Sequence, residues 1–254
     1  MDQRRLGRAG PLVSVIGYGA FKIGRNTQTK YGIDYPLPDD AAVSQLLNGL
    51  LDLGLNYFDT APAYGLSEER IGRAIGHRRG EFTLSTKVGE VFENDRSTYD
   101  FSQSPIEHSV YRSLRRLQTD VLDLVFIHAH GDDLAIQEQT DAVATLQRLR
   151  DAGLIRQIGH SAKSVAGAQA ALKWANAIML EYHLDDREAE LVIEAAATAG
   201  VGVVVKKALA SGKLPARDAL QFVLSNPGVT STVVGTLSLE HMRENVAATR
   251  SPTL

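Results

Sequence analysis

Cysteine is absent from the 254 residues. Disulfides, thiolate nucleophiles and cysteine-held metals are thereby excluded, and the chain is indifferent to redox compartment. Charge bias is lacking too: 27 Lys and Arg stand against 30 Asp and Glu, a formal net charge of -3, with no long run of either sign. Such a surface exerts no general pull on nucleic acid or anionic lipid. No apolar run approaches the span of a bilayer, and the opening MDQRRLGRAG has no apolar h-region. A soluble, cytoplasmic protein is expected, with a small-molecule partner rather than nucleic acid or a membrane. Oligomeric state is left open.

What is present is an alternation. Strand-like runs, SVIGYGA (14–20), LNYFD (55–59), EFTLST (81–86), VLDLVFI (121–127), LIRQIG (154–159), NAIML (176–180), VGVVVK (201–206) and TSTVV (230–234), are separated by stretches of helical periodicity. The helical stretches are 39–54, 67–76, 104–118, 136–153, 165–175, 185–200, 216–225 and 239–249. In the first of them Val43, Leu46, Leu47 and Leu50 recur at three- and four-residue steps, acids open the first turn, and Gly54 follows the end. Eight strand-helix units with no Pro/Ser-rich linker between them predict one domain over residues 1–254, an α/β (β/α)8 TIM barrel. RRLGRAGPLV, with its Gly-Pro turn, is expected to form an N-terminal β-hairpin across the barrel bottom.

In such a barrel the active site assembles at the carboxyl ends of the strands. NYFDTAPAYG places Asp59 at the end of the second strand and Tyr64 in the loop after it; Lys87 and His128 end the third and fourth strands. Each alone reads equally well as a cap or a solvated rim charge. Together they form a set on neighbouring strands, and their chemistry is complementary. A free phenol titrates near 10, and an ammonium roughly 4 Å away lowers it by about three units at an effective dielectric of about 20. Tyr64 is therefore expected close to neutrality, with Asp59 keeping Lys87 charged and His128 donating a hydrogen bond to a substrate carbonyl. The set gives a proton but no electrons, so reduction needs a hydride from a bound cofactor.

These residues resemble the catalytic tetrad of the aldo-keto reductases, and the resemblance runs along the chain through IGYGAF, STKVG, DLVFIH, IRQIGHSAKS, MLEYH and NPGVTSTVVGTLSLEHMRENVAAT. It implies an NADP(H)-dependent reductase of an aldehyde, ketone or sugar-like carbonyl, NADPH being preferred over NADH, with Tyr64 as general acid and no metal. It also implies cofactor contacts at Gly19, Ala20, Ser161, Met179, Lys206, Lys207, Leu209 and Ser211, and, around the adenosine end, at Gly235, Thr236, Ser238, His241, Glu244 and Asn245. Gly235 allows close backbone approach and the last helix offers free amides to a phosphate, although a well-capped helix accounts for Ser238 as well. The chain departs from the family pattern with Gly235 for a common Lys, His241 for an Arg, Ala162 for an Asn, Met179 for a Gln, and Lys206 for the aromatic that stacks on nicotinamide. Two long loops, 24–40 and 89–104, are expected to wall the substrate site with Tyr31, Tyr35, Phe92, Tyr99 and Phe101. Two other functions stay in view. One is a non-catalytic nicotinamide-binding sensor or accessory subunit; the other is a Schiff-base lyase acting through Lys206.

Overall fold

The computed structural model describes residues 1–29 and 35–249, so the expected wall residue Tyr31 lies outside the described residues. The chain opens with a hairpin, β1 (Gln3–Arg5) antiparallel to β2 (Leu12–Ser14). β3 (Ile16–Gly19), β4 (Tyr57–Asp59) and β5 (Thr83–Val88) follow as the first three barrel strands. A second hairpin, β6 (Glu90–Glu93) with β7 (Arg96–Tyr99), stands on the barrel mouth. β8 (Leu122–His128), β9 (Ile155–Ser161), β10 (Ala177–Glu181), β11 (Gly202–Lys206) and β12 (Ser231–Val234) complete the closed barrel, every pairing in it parallel. This is the expected (β/α)8 barrel.

The strands are rich in β-branched residues because both faces are buried. Outward-pointing Phe58, Leu84, Val125, Ile127 and Val205 pack under the helices, whereas Tyr57, Leu124, Phe126, Ala177, Met179 and Val204 fill the lumen with Leu6 and Val13 of the hairpin. The hairpin closes the amino-terminal end of the barrel: Arg8 N donates to Gly200 O, and Gln157 Nε2 to Leu6 O.

The helices are α1 (Asp40–Asp52), α2 (Ser67–Ile75), α3 (Gln103–Leu117), α4 (Asp133–Gln139), α5 (Ala142–Asp151), α6 (Val165–Ala171), α7 (Glu190–Ala199), α8 (Ala216–Ser225) and α9 (Leu239–Thr249). Three differ from expectation, α6 by ending at Ala171 instead of at 175. The stretch 136–153 is two helices, because Thr140 is extended (φ -122°, ψ 171°) and its hydroxyl donates to Ile136 O, offering the backbone a local alternative to the helix. The stretch 185–200 begins late, because His183 and Asp186 exchange backbone hydrogen bonds in a tight turn. The sequence reads 89–104 as a long loop without strands of its own. Instead Asn94 (φ 50°) and Asp95 (φ 57°) make a left-handed two-residue turn that closes the second hairpin.

Leu6 is fully buried among the lumen residues. Its replacement by Ala should destabilise the protein by about 2–5 kcal/mol in urea unfolding. A loss under about 0.5 kcal/mol would show that the hairpin is not part of the core.

Candidate active site

Strand periodicity builds the site. With Tyr57, Leu124 and Phe126 pointing into the lumen, the residues two positions further along, Asp59 and His128, must also point inward, and Lys87 does so from β5. Lys87 Nζ donates to Asp59 Oδ2 at 2.7 Å and to Thr60 O at 2.9 Å, with Lys87 only 1% exposed. Asp59 Oδ1 accepts from Ser85 Oγ at 2.7 Å, and Tyr57 OH lies 2.9 Å from that hydroxyl. Burial alone would discharge Lys87; Asp59, then Tyr64, raise its pKa above the ordinary lysine value.

Tyr64 ends a 3₁₀ turn, Pro62–Tyr64, entered through a proline that presets its first φ. Two glycines hold this turn. A Cβ on Gly24 would stand 2.1 Å from Tyr64 O, and one on Gly65, itself at φ 59°, 2.3 Å from Gly24 O. The Tyr64 ring lies edge-on to Phe21, with centroids 5.1 Å apart. Lys87 Nζ is 4.8 Å from the Tyr64 ring centroid. The expectation of a near-neutral phenol is nevertheless overturned. Part of the ring stays open to the cavity, but burial of the phenol outweighs Lys87 and, with Asp59, pushes Tyr64 up to about 12.

His128 Nδ1 lies 2.8 Å from Glu90 Oε2, a contact bent off the ring's N–H axis. Burial, reinforced by the Lys87 and Lys206 ammoniums, lowers His128 to about 4 despite Glu90. Burial would raise Glu90, but the neighbouring His128 imidazole and the hydroxyl of Ser97, which donates to Oε1 at 2.6 Å, hold it at about 2. Lys206 is half-buried rather than a solvated rim residue: its Nζ donates to Ser161 Oγ at 3.1 Å and Ala162 O at 2.6 Å. Removal from water, then Lys163, Lys87 and Lys207, pull it down to about 7. Lys207 is paired with Glu181, which offsets part of the cationic charge expected there. Behind the β9 end, buried Asp133 accepts from His160 Nε2 at 2.8 Å, Ser164 Oγ at 2.7 Å and Lys163 N at 3.1 Å, bracing the turn that carries Ser161.

Asp59, Tyr64, Lys87 and His128 line one cavity of about 360 Å³ together with Gly19, Ser161, Met179, Lys206, Lys207, Ser211 and Gly235. Ala20, Leu209, Thr236, Ser238, His241, Glu244 and Asn245 do not line it. Ala20 is buried in the core, and Ser238 Oγ accepts from His241 N as the cap of α9. Of the expected wall residues, Tyr99 faces the cavity and Phe92 lies under the Arg25 guanidinium, 3.3 Å from its ring centroid. Tyr35 donates its hydroxyl to Arg25 O. Phe101 is a correction: it is buried in the core against Gly89, whose Cα–H face leaves room for the ring. Glu90, Asp133 and Arg25 escaped the sequence reading. Only for Glu90 was a signal available, the Asn94-Asp95 turn that predicts the hairpin carrying it.

A model of the Aldo/keto reductase family matches residues 15–219. The chain belongs to that family. It is 41% identical to the Pseudomonas aeruginosa protein PA4992, assigned to the aldo-keto reductases, with a TM-score of 0.90 over 97% of this chain and 93% of that one. The holo form of aldo-keto reductase AKR11C1 from Bacillus halodurans is 30% identical, with a TM-score of 0.85 over 100% of this chain and 92% of that one. L-galactose dehydrogenase of Arabidopsis thaliana is 28% identical over 98% of this chain and 88% of its own length. Family membership makes the protein an oxidoreductase of carbonyl compounds served by a nicotinamide cofactor. The cavity fits that group: cationic Lys206 and Lys207 suit a diphosphate, and Gly19 and Gly235 leave the backbone bare, a Cβ on Gly235 coming within 3.1 Å of Gly19 O.

Asp133, depressed to about 2, gives a pH test. Burial would raise its pKa, and the bonds from His160, Ser164 and Lys163 overcome that. A carboxyl with a lowered folded-state pKa stabilises above its unfolded value near 4 and loses that stabilisation as pH falls toward 2. Asp133→Asn should therefore cost roughly 2–3 kcal/mol at neutral pH and little near pH 2, read by urea unfolding across pH. A pH-independent cost would contradict the ionic brace.

Proposed function

We propose that this chain is an NADP(H)-dependent reductase of aldehydes, ketones or sugar-like carbonyls, with Tyr64 the general acid. The observation that carries the reading is the buried Asp59, Lys87 and Tyr64 cluster opening on a cavity with cationic walls. The cofactor would supply the hydride, held by Ser161 and Met179 at the nicotinamide and by Lys206, Lys207 and Ser211 along the diphosphate. The chain's own task is the proton. Tyr64 at about 12 is fully protonated at neutral pH, yet far more acidic than the alcohol produced when the alkoxide, formed as carbon accepts hydride, takes up its proton. Lys87, kept charged by Asp59, stabilises the phenolate left behind. Sugar-like substrates are favoured by the names of relatives such as L-galactose dehydrogenase and by the polar Gln28, Ser97 and Tyr99 at the mouth. We take the chain to act as one barrel domain in the cytoplasm.

Lys206 supports a second reading, since an amine lowered to about 7 is a competent imine former. Borohydride trapping of a substrate on Lys206 without nicotinamide would favour it, but that reading leaves Asp59, Tyr64 and Lys87 without a task.

Tyr64→Phe should lose nearly all aldehyde reduction, at least about a hundredfold in kcat, while binding cofactor as before. Full turnover in that variant would refute the assignment. A fluorescence titration with NADPH and NADH should show tighter binding of NADPH; equal affinities would remove the NADP preference, and tight binding without turnover on any aldehyde would favour a sensor. Reduction by the parent should keep its kcat/KM flat between about pH 8 and pH 9.5, above the titration of Lys206 and below that of Tyr64. A midpoint within that range that disappears in Tyr64→Phe would contradict this.

A further inference from the structure

We propose that the Lys206 ammonium makes the cavity sense the oxidation state of its nicotinamide cofactor: it repels the cationic ring of the oxidised form, so that the reduced form binds more tightly. The inference rests on the reading of the cavity as a nicotinamide site.

Lys206 ends β11 in register with Glu181 of β10, but that carboxylate is taken by Lys207 and lies 3.4 Å from His183 Nε2. The Lys206 side chain turns elsewhere. Its Nζ donates to Ser161 Oγ at 3.1 Å and to Ala162 O at 2.6 Å, both at the end of β9. β10 stands between β9 and β11 in the barrel, so the side chain crosses the mouth of β10 to reach them. Its charge is felt at the reacting end of the cavity. Lys87 and Lys206 together lower His128, and Lys87 acts in turn on Lys206. The Tyr64 ring centroid lies 4.8 Å from Lys87 Nζ and 6.2 Å from the centroid of the His128 ring. The ammonium thus shares the space of the proposed proton donor, although the Lys206 backbone stands beside Lys207 at the diphosphate wall.

That space is where the charge of a nicotinamide changes. A carbonyl oxygen protonated by Tyr64 has its carbon one bond away, and a hydride donor must touch that carbon. One hydrogen and two electrons pass to the carbon while Tyr64 gives a proton to the oxygen, and the nicotinamide ring, neutral before, is left with one positive charge. The diphosphate is the same in both forms and attracts Lys206 and Lys207 equally in either. By favouring protonation of an amine that burial sets at about 7 in the free protein, it also keeps Lys206 charged. Only the ring distinguishes the two forms electrostatically. Lys87 and Lys207 have carboxylates of their own, Asp59 and Glu181, which cancel much of their field. Lys206 is held by a hydroxyl and a carbonyl, with no paired carboxylate among the described residues. In a cavity largely walled from water its repulsion of a pyridinium is weakly screened.

Isothermal titration calorimetry of the full chain with NADPH and with NADP+ near pH 7 tests this. Wild type should bind NADPH at least about tenfold more tightly than NADP+, which raises the potential of the bound couple by about 30 mV. Lys206→Met should lower the ratio of the two dissociation constants by about that factor. Lys206→Gln, which keeps an N–H donor without the charge, should do the same, and Lys206→Arg should retain the wild-type ratio. A lysine that only shaped the wall would weaken both nucleotides alike and leave the ratio unmoved. Equal affinities in wild type, or a ratio unchanged in both neutral variants, would overturn the proposal. Where NADH and NAD+ bind more tightly, the same ratio is read with them. Failure to bind any of the four nucleotides refutes the nicotinamide reading and the proposal with it; binding of both forms without discrimination refutes the proposal alone.

Discussion

The ion pair between Lys87 and Asp59, 2.7 Å long and almost wholly out of water, sets the terms for everything around it. A charge this deep survives only when paired and hydrogen-bonded, and this pair is: Thr60 O accepts from Lys87 and Ser85 Oγ donates to Asp59. It caps a lumen that is apolar below, where Leu6, Val13 and Phe126 pack, and polar above. Parallel closure and the two-residue side-chain period force that division. Once Tyr57 and Phe126 face inward to fill the barrel, Asp59 and His128 must face inward at its mouth.

Tyr64 shows how burial and pairing compete. The same low dielectric that strengthens the attraction of Lys87 for a phenolate also penalises the phenolate itself, and the penalty is larger. Under the proposed function this outcome would suit a proton donor, the phenol keeping its hydrogen until a strong base forms beside it, and the phenolate is scarce in the resting site. Lys206 stands at the opposite wall without a carboxylate as its leading partner, and burial draws it down to about 7, so that it is partly charged at neutral pH. Two lysines of one cavity are thus driven apart by the company each keeps.

Much of this was legible in the chain. The β-branched runs gave the barrel, and strand-end polar residues at equivalent positions gave Asp59, Lys87 and His128, because both signals are local and periodic. What escaped was set by tertiary contact. Glu90 reaches His128 only because a two-residue turn at Asn94 and Asp95 folds a hairpin within a stretch without alternation. Asp133 braces the Ser161 turn across 30 residues of sequence, through bonds no spacing predicts. Phe101 looked like a loop aromatic and is core, since Gly89 leaves it a seat. The acidity of Tyr64 was misjudged for a related reason: the spacing of charges can be guessed from strand ends, whereas the depth of burial cannot.

The balance at Tyr64 is open to direct observation by following tyrosinate absorbance in the parent and in Tyr64→Phe as pH is raised. The account predicts identical curves up to about pH 10, Tyr64 holding its proton beyond the range in which free tyrosine titrates. A tyrosinate that forms near pH 7 or 8 in the parent and is missing from Tyr64→Phe would contradict it, by showing that the ammonium, not burial, governs the phenol.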